Sequence, residues 1–221
     1  MNIKNVIFIA PPAAGKGTIA KKLSDKYNMP HISTGDLLRD ALDDSERGLL
    51  IKETMNNGGI VSLDIVLELL KMRIQREDCN NGYILDGFPR NVTQAVMYDK
   101  ILNELNRDLG CVIYFDVEYD TLVKRIIGRA SCTSCGSIYN ELIEEKKPKT
   151  VGICDICGNA LVKREDDNAF TFRSRYNTYL SETYPLVDYY KKKNVLYTID
   201  TSIGEENTFK EIENIIRGNI W

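Results

Sequence analysis

The chain has 221 residues, of which 43% are hydrophobic and 28% are charged, and its formal net charge is −3. This composition is ordinary for a globular protein and allows one large core with smaller lobes inserted into it. A slightly acidic chain has no global basic field that attracts nucleic acid, so any anionic ligand must be held by local cations.

The sequence contains no apolar run near the ~20 residues that a membrane-spanning helix needs, and its amino terminus has no small-residue cleavage site. We therefore expect a cytoplasmic protein whose cysteines are reduced. We also expect a monomer with no membrane partner and no nucleic-acid partner.

Short apolar runs that alternate with helix-like segments predict the fold. The first run, Val6–Ala10, leads through two prolines into a helix over about residues 15–27. Similar runs lie at residues 31–33, 83–86, 111–116 and 195–199. Near-continuous apolar strands separated by helices are typical of a parallel sheet covered on both faces. We therefore predict an α/β fold, with a five-stranded parallel sheet flanked by helices.

Three further segments complete the predicted organisation. Residues 34–62 have a helical pattern interrupted by Asn56–Gly59, and residues 130–167 are rich in cysteine, glycine and charge, so both are predicted to be inserted lobes. The last segment places Phe209, Ile212, Ile215 and Ile216 on one stripe, which predicts an amphipathic closing helix. The predicted domains are a core of residues 1–32, 63–127 and 168–221, and insertions at 33–62 and 128–167.

The loop after the first strand reads Ala-Pro-Pro-Ala-Ala-Gly-Lys-Gly-Thr over residues 10–18. Consecutive backbone amides in such a loop, together with the positive end of the next helix, form a cradle for phosphate. In this motif Lys16 reaches the β- and γ-phosphates of a nucleotide, and the Thr18 hydroxyl lies near magnesium. An ordinary turn with a surface lysine is the alternative. The position directly after an apolar strand favours a phosphate loop, and with it a fold of the P-loop NTPase type.

Two later segments are candidates for binding a second anionic ligand. Ser33–Arg39 opens the first insertion. Capping of a helix accounts for the presence of Ser33 or Thr34, but it does not account for an arginine at position 39. The second segment, Asp-Gly-Phe-Pro-Arg over residues 86–90, follows a strand and places a carboxylate and a cation at the carboxyl edge of the sheet. Ligands of open α/β sheets bind at that edge.

Arginines flank both ends of the second insertion. Arg125 and Arg129 are predicted to lie on the helix that enters it, and Arg164, Arg173 and Arg175 lie where the chain returns. Solvated helix faces are the usual explanation of such residues. In a P-loop protein, however, this arrangement favours arginines that surround the phosphoryl group when the insertion closes. Phosphoryl transfer depends on positioning the reactants and on cancelling negative charge, and arginine is suited to both.

Four cysteines in the second insertion form two Cys-x-x-Cys-Gly sequences. Cys132 and Cys135 form the first, Cys154 and Cys157 form the second, and eighteen residues separate the two pairs. This spacing is typical of a tetrahedral zinc site. The alternatives are two disulfides, which would be unusual in a cytosolic chain, and a redox pair, which normally opens a helix beside a strand. We predict a structural zinc ion that makes a lobe with little core of its own fold. Cys79 and Cys111 are predicted to be packing residues, and His31 is given no catalytic role.

Taken together, these motifs resemble those of the adenylate kinase family, over essentially the whole chain. The resemblance rests on the Ala-Gly-Lys-Gly-Thr loop, the Ser-Thr-Gly-Asp and Asp-Gly-Phe-Pro-Arg signatures, and the cysteine quartet that many bacterial members carry in a mobile lid. The phosphate loop departs from the family pattern at Ala10 and Ala13. If the position of Ala13 requires a positive φ angle, alanine there costs about 1 kcal/mol or more.

The resemblance implies transfer of the terminal phosphoryl group from Mg-ATP to AMP, giving two ADP. It implies ATP contacts at Ala13, Ala14, Gly15, Lys16, Gly17, Thr18, Arg125, Arg129, Ile138, Tyr139 and Ile203. It implies AMP contacts at Thr34, Arg39, Gly59, Ile60, Val61, Gly87, Phe88, Pro89, Arg90, Gln94, Arg164 and Arg175. The implied catalytic residues are Lys16, Asp86, Arg90, Arg129, Arg164 and Arg175.

Other residues follow from the same resemblance. Asp86 is expected to organise magnesium through water, Asp166 and Asp167 resemble lid-hinge aspartates, and Arg173 is left as structural. Thr34 favours adenine, since relatives that prefer UMP or CMP usually carry alanine at that position.

Two alternatives remain open from the sequence. One is a kinase that uses GTP as donor or another monophosphate as acceptor. The other is a zinc-ribbon protein that binds nucleic acid and keeps a vestigial phosphate loop. The second alternative predicts a basic lobe, but residues 130–167 contain about as many acidic as basic residues and few aromatic ones.

Overall fold

The computed structural model describes residues 5–43, 45–56, 61–163 and 167–218. Its strands are β1 (Val6–Ile9), β2 (His31–Ser33), β3 (Ile84–Asp86), β4 (Cys111–Asp116), β5 (Arg129–Cys132), β6 (Ile138–Asn140), β7 (Leu161–Val162) and β8 (Leu196–Asp200). Its helices are α1 (Lys16–Tyr27), α2 (Thr34–Asp40), α3 (Glu46–Asn56), α4 (Leu63–Ile74), α5 (Val92–Glu104), α6 (Tyr119–Ile127), α7 (Ala169–Thr178), α8 (Pro185–Lys192) and α9 (Glu205–Gly218).

The predicted five-stranded sheet is confirmed. Its strand order is β2-β3-β1-β4-β8, and every neighbouring pair is parallel. The central strand β1 is buried along its whole length, with Val6 and Phe8 in the apolar cluster on one face and Ile7 and Ile9 in the cluster on the other. Burial on both faces explains why this strand is a continuous apolar run rather than an alternating one.

The predicted closing helix is also confirmed as α9. Ile212 and Ile216 are buried against the sheet, with Phe209 and Ile215 partly buried beside them. A stripe repeating every three or four residues can pack in this way only if the segment is helical. No helix in the described ranges is long and apolar enough to cross a membrane.

The second insertion contains a separate small sheet. Strands β6, β5 and β7 pair antiparallel in that order. Its buried apolar cluster consists of Cys132, Tyr139 and Cys154, with Cys135 and Leu161 partly buried against it. So few buried residues cannot stabilise a lobe by the hydrophobic effect alone.

One structural expectation about this insertion was wrong. Arg129 does not lie on the helix with Arg125, because α6 ends at Ile127 and Arg129 is the first residue of β5. The residue that follows the helix is Gly128, where a Cβ atom would lie 2.2 Å from the Asn140 side-chain oxygen of the neighbouring strand β6. The close approach of β6 requires glycine there, and the chain turns from helix to strand at that residue.

Candidate functional site

The loop between β1 and α1 has the conformation of a phosphate cradle. Ala13 and Gly15 both have positive φ angles, of 64° and 91°, and Gly15 is the residue that precedes the first turn of α1. The loop lies at the carboxyl end of β1, so the amides of the first turn of α1 and the positive end of its dipole point out of this edge of the sheet. Ala13 therefore does adopt the left-handed conformation in which alanine has a steric cost, as the sequence analysis considered.

Replacing Ala13 with glycine is expected to raise the free energy of unfolding by about 1 kcal/mol, because glycine adopts a positive φ angle without the steric penalty of a Cβ atom. Urea denaturation of both proteins measures the difference. Ala14→Gly is the matched control, since Ala14 is buried and its φ angle is not positive. The same chemical change there should lower stability. If both substitutions changed the free energy of unfolding equally, the positive φ angle of Ala13 would not be the cause.

Lys16 and His31 both approach the carboxylate of Asp86. The Lys16 Nζ atom lies 3.8 Å from one oxygen of Asp86, and the His31 Nε2 atom lies 3.4 Å from the other. The oxygen that faces Lys16 is buried and accepts no hydrogen bond within the described part of the chain. A buried carboxylate oxygen of this kind fits the expected role of Asp86 in organising hydrated magnesium.

The surroundings of Asp86 keep its carboxyl group ionised. Burial alone would raise its pKa, but the nearby charge of Lys16 and the contact with His31 outweigh burial and lower the pKa below its ordinary value. His31 was given no catalytic role from the sequence. Its proximity to Asp86 comes from the pairing of β2 with β3, which the sequence alone did not reveal.

Four of the residues expected to contact AMP meet around Gly87, namely Thr34, Gly87 itself, Arg90 and Gln94. The carbonyl of Gly87 accepts hydrogen bonds from the Thr34 hydroxyl at 3.1 Å and from the Arg90 Nε atom at 3.0 Å. The Arg90 amide donates to the Gln94 side chain at 2.7 Å. Gly87 has a φ angle of 81°, and a Cβ atom there would lie 3.1 Å from the Thr34 hydroxyl, so glycine is required.

Other predicted acceptor residues are placed differently. Arg39 is exposed and pairs with Asp36 on its own helix. Phe88, Pro89 and Val61 are buried, so their side chains contribute packing. Of the remaining predicted residues, Gly59, Ile60 and Arg164 lie outside the described residues.

Arg90 and Arg175 belong to different elements, and their charges influence each other. Arg90 follows β3, and Arg175 lies on α7. The surrounding protein and the positive charge of Arg175 lower the pKa of the Arg90 guanidinium, although its side chain remains accessible to solvent. Two arginines whose charges interact are suited to bind a phosphate group.

Arg125 and Arg129 lie beside the phosphate loop and line the same cavity as Ala13, Ala14 and Gly15. Arg125 donates to the carbonyls of Ala14 at 3.1 Å and Thr201 at 3.3 Å, and thereby joins the phosphate loop to the segment after β8. Arg129 makes a two-fold hydrogen-bonded ion pair with Asp167, whose side chain is 1% exposed. Asp166, the other predicted hinge aspartate, lies outside the described residues.

A cavity of about 810 Å³ opens between the phosphate loop, the small sheet and the start of α9. Its volume is in the range of pockets that hold small ligands. The predicted ATP-contact residues that line it are Ala13, Ala14, Gly15, Thr18, Arg125, Arg129, Ile138, Tyr139 and Ile203. Lys16 and Gly17 do not line it, and Lys16 instead faces Asp86.

The same cavity has lining residues that the sequence did not single out. Lys146 of the second insertion pairs with Glu205 at 2.6 Å, and Lys22 of α1 pairs with the same carboxylate at 2.7 Å. Lys146 and Glu205 both line the cavity, so this ion pair joins the insertion to α9 across one side of it. Their contact depends on the tertiary fold, and no local pattern in the sequence indicates it.

The four cysteines of the second insertion converge on one point. Their sulfur atoms all lie within 4.8 Å of one another, with 3.4 Å between those of Cys132 and Cys157 and 3.5 Å between those of Cys135 and Cys154. A tetrahedral zinc ion with sulfur ligands at 2.3 Å holds the sulfurs about 3.8 Å apart. All four are free cysteines, and sulfur separations of this size are too long for the bonds of the two-disulfide alternative. The quartet can hold a structural zinc ion.

The environment of Cys154 favours the thiolate that zinc binds. Burial would raise its pKa, but hydrogen bonds from Tyr139 and from the backbone amides of Cys157 and Ile156 outweigh burial and lower the pKa to about 6. Cys79 and Cys111 are buried elsewhere, as predicted for packing residues, and burial raises the pKa of the Cys79 thiol to about 11.

Comparisons with known proteins agree with this geometry. A family model described as "Adenylate kinase" matches residues 8–195. The chain is 46% identical over 214 residues to an adenylate kinase of Thermosipho africanus, which covers 96% of this chain and 99% of the relative. It is 45% identical over 213 residues to an adenylate kinase of Archaeoglobus fulgidus, and the match covers 96% of this chain and 97% of the relative. An adenylate kinase of Thermotoga maritima is 43% identical over 213 residues and covers 96% of each chain.

Proposed function

The chain belongs to the adenylate kinase family, and on this premise we propose how its residues carry out the reaction. Adenylate kinases transfer the terminal phosphoryl group of Mg-ATP to AMP, and this chain is accordingly a phosphotransferase acting on ATP, AMP and ADP. The observation that carries the assignment of roles is the position of Lys16. It belongs to the loop whose Ala13, Ala14 and Gly15 line the cavity, and its Nζ atom lies 3.8 Å from Asp86, which precedes Gly87 and Arg90.

On the donor side, we assign ATP to the cavity beside the phosphate loop. The amides of Gly15, Lys16 and Gly17 hold the phosphate chain, and Arg125 fixes this loop against the segment after β8. Ile138, Tyr139 and Ile203 line the outer part of the cavity, where an apolar base packs. Arg129, held by Asp167, supplies positive charge at the border of the second insertion.

On the acceptor side, we assign AMP to the surface around Gly87. Thr34 lies beside the base, Gln94 fixes the Arg90 backbone, and Arg90 and Arg175 bind the acceptor phosphate. Arg39, Val61, Gly59, Ile60 and Arg164 remain predicted contacts. Arg39 must leave its surface pair with Asp36 to bind the phosphate.

Charge cancellation around the moving phosphoryl group is the main task of these residues. Lys16, Arg129 and Arg175, together with the predicted Arg164, provide cations around it, and closure of the two insertions excludes water that would hydrolyse ATP. Asp86, acting through water, and Thr18 are the residues that would hold magnesium, and the ion would supply charge that neutralises the phosphate oxygens of the donor. No residue has to act as a nucleophile, because the AMP phosphate attacks directly.

A coupled assay of ADP formation tests the assignment. Zinc-replete protein with ATP, AMP and Mg²⁺ should show turnover that depends on both nucleotides and disappears when magnesium is chelated. Absence of AMP-dependent turnover would contradict it. A panel with GTP as donor and UMP, CMP and GMP as acceptors separates adenylate kinase from the other monophosphate kinases. Thr34 favours AMP in this panel.

Further properties belong to the same proposal. We propose a cytoplasmic monomer that holds a structural zinc ion in the second insertion and has no membrane or nucleic-acid partner. The insertion of residues 128–167 acts as a lid over ATP, and residues 33–62 act as the AMP-binding lobe. No observation favours the alternative of a non-enzymatic nucleic-acid binder.

A further inference from the structure

An irregular turn of helix follows α7, which carries Arg175. Residues Tyr179–Thr183 form a π-helix, in which the Tyr184 amide donates to the Tyr179 carbonyl at 2.8 Å. Pro185 begins α8 directly afterwards and has no amide hydrogen, so α-helical hydrogen bonding cannot continue through it. Single π-turns inside helices are rare and occur frequently at functional sites.

The π-helix is held firmly in place by aromatic packing. The Tyr179 side chain is 6% exposed, and its ring packs between those of Tyr176 and Tyr184, with centroid distances of 5.9 and 6.3 Å. Its hydroxyl donates to the Tyr114 hydroxyl on β4 at 3.3 Å. The irregular turn is therefore anchored to the central sheet.

This turn places one hydroxyl against the acceptor signature. The Thr183 Oγ1 atom donates to the backbone carbonyl of Arg90 at 2.8 Å. The Arg90 amide is held by Gln94 at 2.7 Å, so the backbone of this arginine is fixed on both sides. A longer contact of 3.4 Å joins the Asn91 side chain to the carboxylate of Glu182.

We propose that Thr183 is a positioning residue for AMP: the π-helix presents its hydroxyl to the Arg90 carbonyl and so fixes Arg90 relative to Arg175. Both arginines depend on the same helical unit, because Arg175 lies on α7 and Thr183 follows eight residues later in the continuous α7, π-helix and α8 segment. Successive residues of a regular α-helix are rotated by about 100° about its axis. Without the π-helix, the position of Thr183 would shift along the helix, and its side chain would turn away from Arg90. The inference rests on the assignment of AMP phosphate to Arg90 and Arg175.

The test is a comparison of Thr183→Val with Thr183→Ser. Valine keeps the shape of the side chain and removes the hydroxyl, whereas serine keeps the hydroxyl. A hydrogen bond of this kind accounts for about a three- to tenfold change in an equilibrium. We expect Thr183→Val to lower kcat/KM for AMP by about that factor and to change KM for ATP less than about twofold. Thr183→Ser should retain the wild-type value.

Ser181→Ala is the matched control. Its hydroxyl lies in the same π-helix but donates to the Thr178 carbonyl at 3.2 Å, within its own turn. Its loss should leave the kinetics of both nucleotides unchanged. If Thr183→Val does not fold, Thr183→Ala removes the same hydroxyl without any added bulk, and thermal melting of each variant establishes folding.

A double-mutant cycle with Arg90→Lys tests whether Thr183 acts through Arg90. The effect of Thr183→Val on AMP should then be smaller in the Arg90→Lys background, because the two residues are coupled. Wild-type kinetics in Thr183→Val would overturn the inference. Equal losses for ATP and AMP would also overturn it, since they indicate a general structural defect. If the proposed function were wrong, the wild-type protein itself would lack AMP-dependent turnover. That outcome differs from failure of this inference, in which the wild type is active and Thr183→Val is equally active.

Discussion

Replacement of Lys16 with methionine is expected to lower kcat for ADP formation by about 10²–10³-fold. Methionine keeps an unbranched stem of similar length and removes the only side-chain cation of the phosphate loop, residues 10–18. Phosphoryl transfer spreads negative charge over the oxygens of the moving group, and a cation fixed at that point stabilises the transition state more than the bound substrates. The loss should therefore appear mainly in kcat rather than in KM for ATP.

Lys21→Met is the matched control for this change. Lys21 is an exposed lysine on the same helix α1, so the control removes an equal charge and leaves the phosphate loop untouched. Its kinetics should equal those of the wild type. Thermal melting must accompany both variants, because Asp86 loses a nearby cation in Lys16→Met. A Lys16→Met variant that is folded and retains more than about a tenth of wild-type kcat would contradict the assigned role.

The sequence was a reliable guide to the central sheet for a physical reason. Strands buried on both faces must be apolar at every position, so β1 and β4 are visible as continuous runs of apolar residues. The amphipathic helix α9 was visible for a related reason, since one face of it covers the sheet. Both signals are local and depend little on the rest of the chain.

The small sheet of the second insertion has no such signal. Strand β5 contains Arg129 and Ser131, and β7 has two residues, so neither presents an apolar pattern that predicts a strand. Its geometry depends on the cysteine quartet and on the close contact between Gly128 and Asn140. The error over Arg129 arose because a helix boundary set by a tertiary contact does not appear in the helical periodicity.

The candidate site likewise contains features that the sequence predicts and features that depend on tertiary contacts. The phosphate loop, the Asp86–Arg90 segment and the cysteines are contiguous motifs, and their chemistry could be predicted from residue types and spacing. The ion pair of Lys146 with Glu205 and the hydrogen bond from Thr183 to Arg90 join residues 59 and 93 positions apart. Such contacts become visible only once the fold has brought distant segments together.

The largest effect on stability is expected from the cysteine quartet. Cys154→Ser should reduce bound zinc from about one ion per chain to nearly none, because three sulfur ligands and a serine hydroxyl do not form a stable structural site. The lobe has only a small apolar cluster, of which Cys154 is a buried member, so folding of the lobe depends on the metal. Loss of several kcal/mol should lower the melting temperature by about 10 °C, at about 2–4 °C for each kcal/mol.

The same substitution should also lower kcat, although none of the four cysteines lines the donor cavity. Arg129 begins the first strand of the lobe and pairs with Asp167 where the chain returns to α7, so an unfolded lobe no longer holds these two residues together. The cysteines would then act on the reaction only through the arginine that their lobe positions. Zinc chelation of the wild type should produce the same kinetic change, and chelation should have no further effect on Cys154→Ser.

Cys111→Ala is the control that separates metal loss from loss of a buried thiol. Cys111 is buried in β4, far from the quartet in sequence, so the variant should lose some core packing but keep a full zinc ion. Metal analysis and calorimetry on the three proteins distinguish the two effects. If Cys154→Ser kept a full zinc ion and an unchanged melting temperature, the quartet would not be a metal site. The folding of the lobe would then need another explanation, because its few buried residues are insufficient.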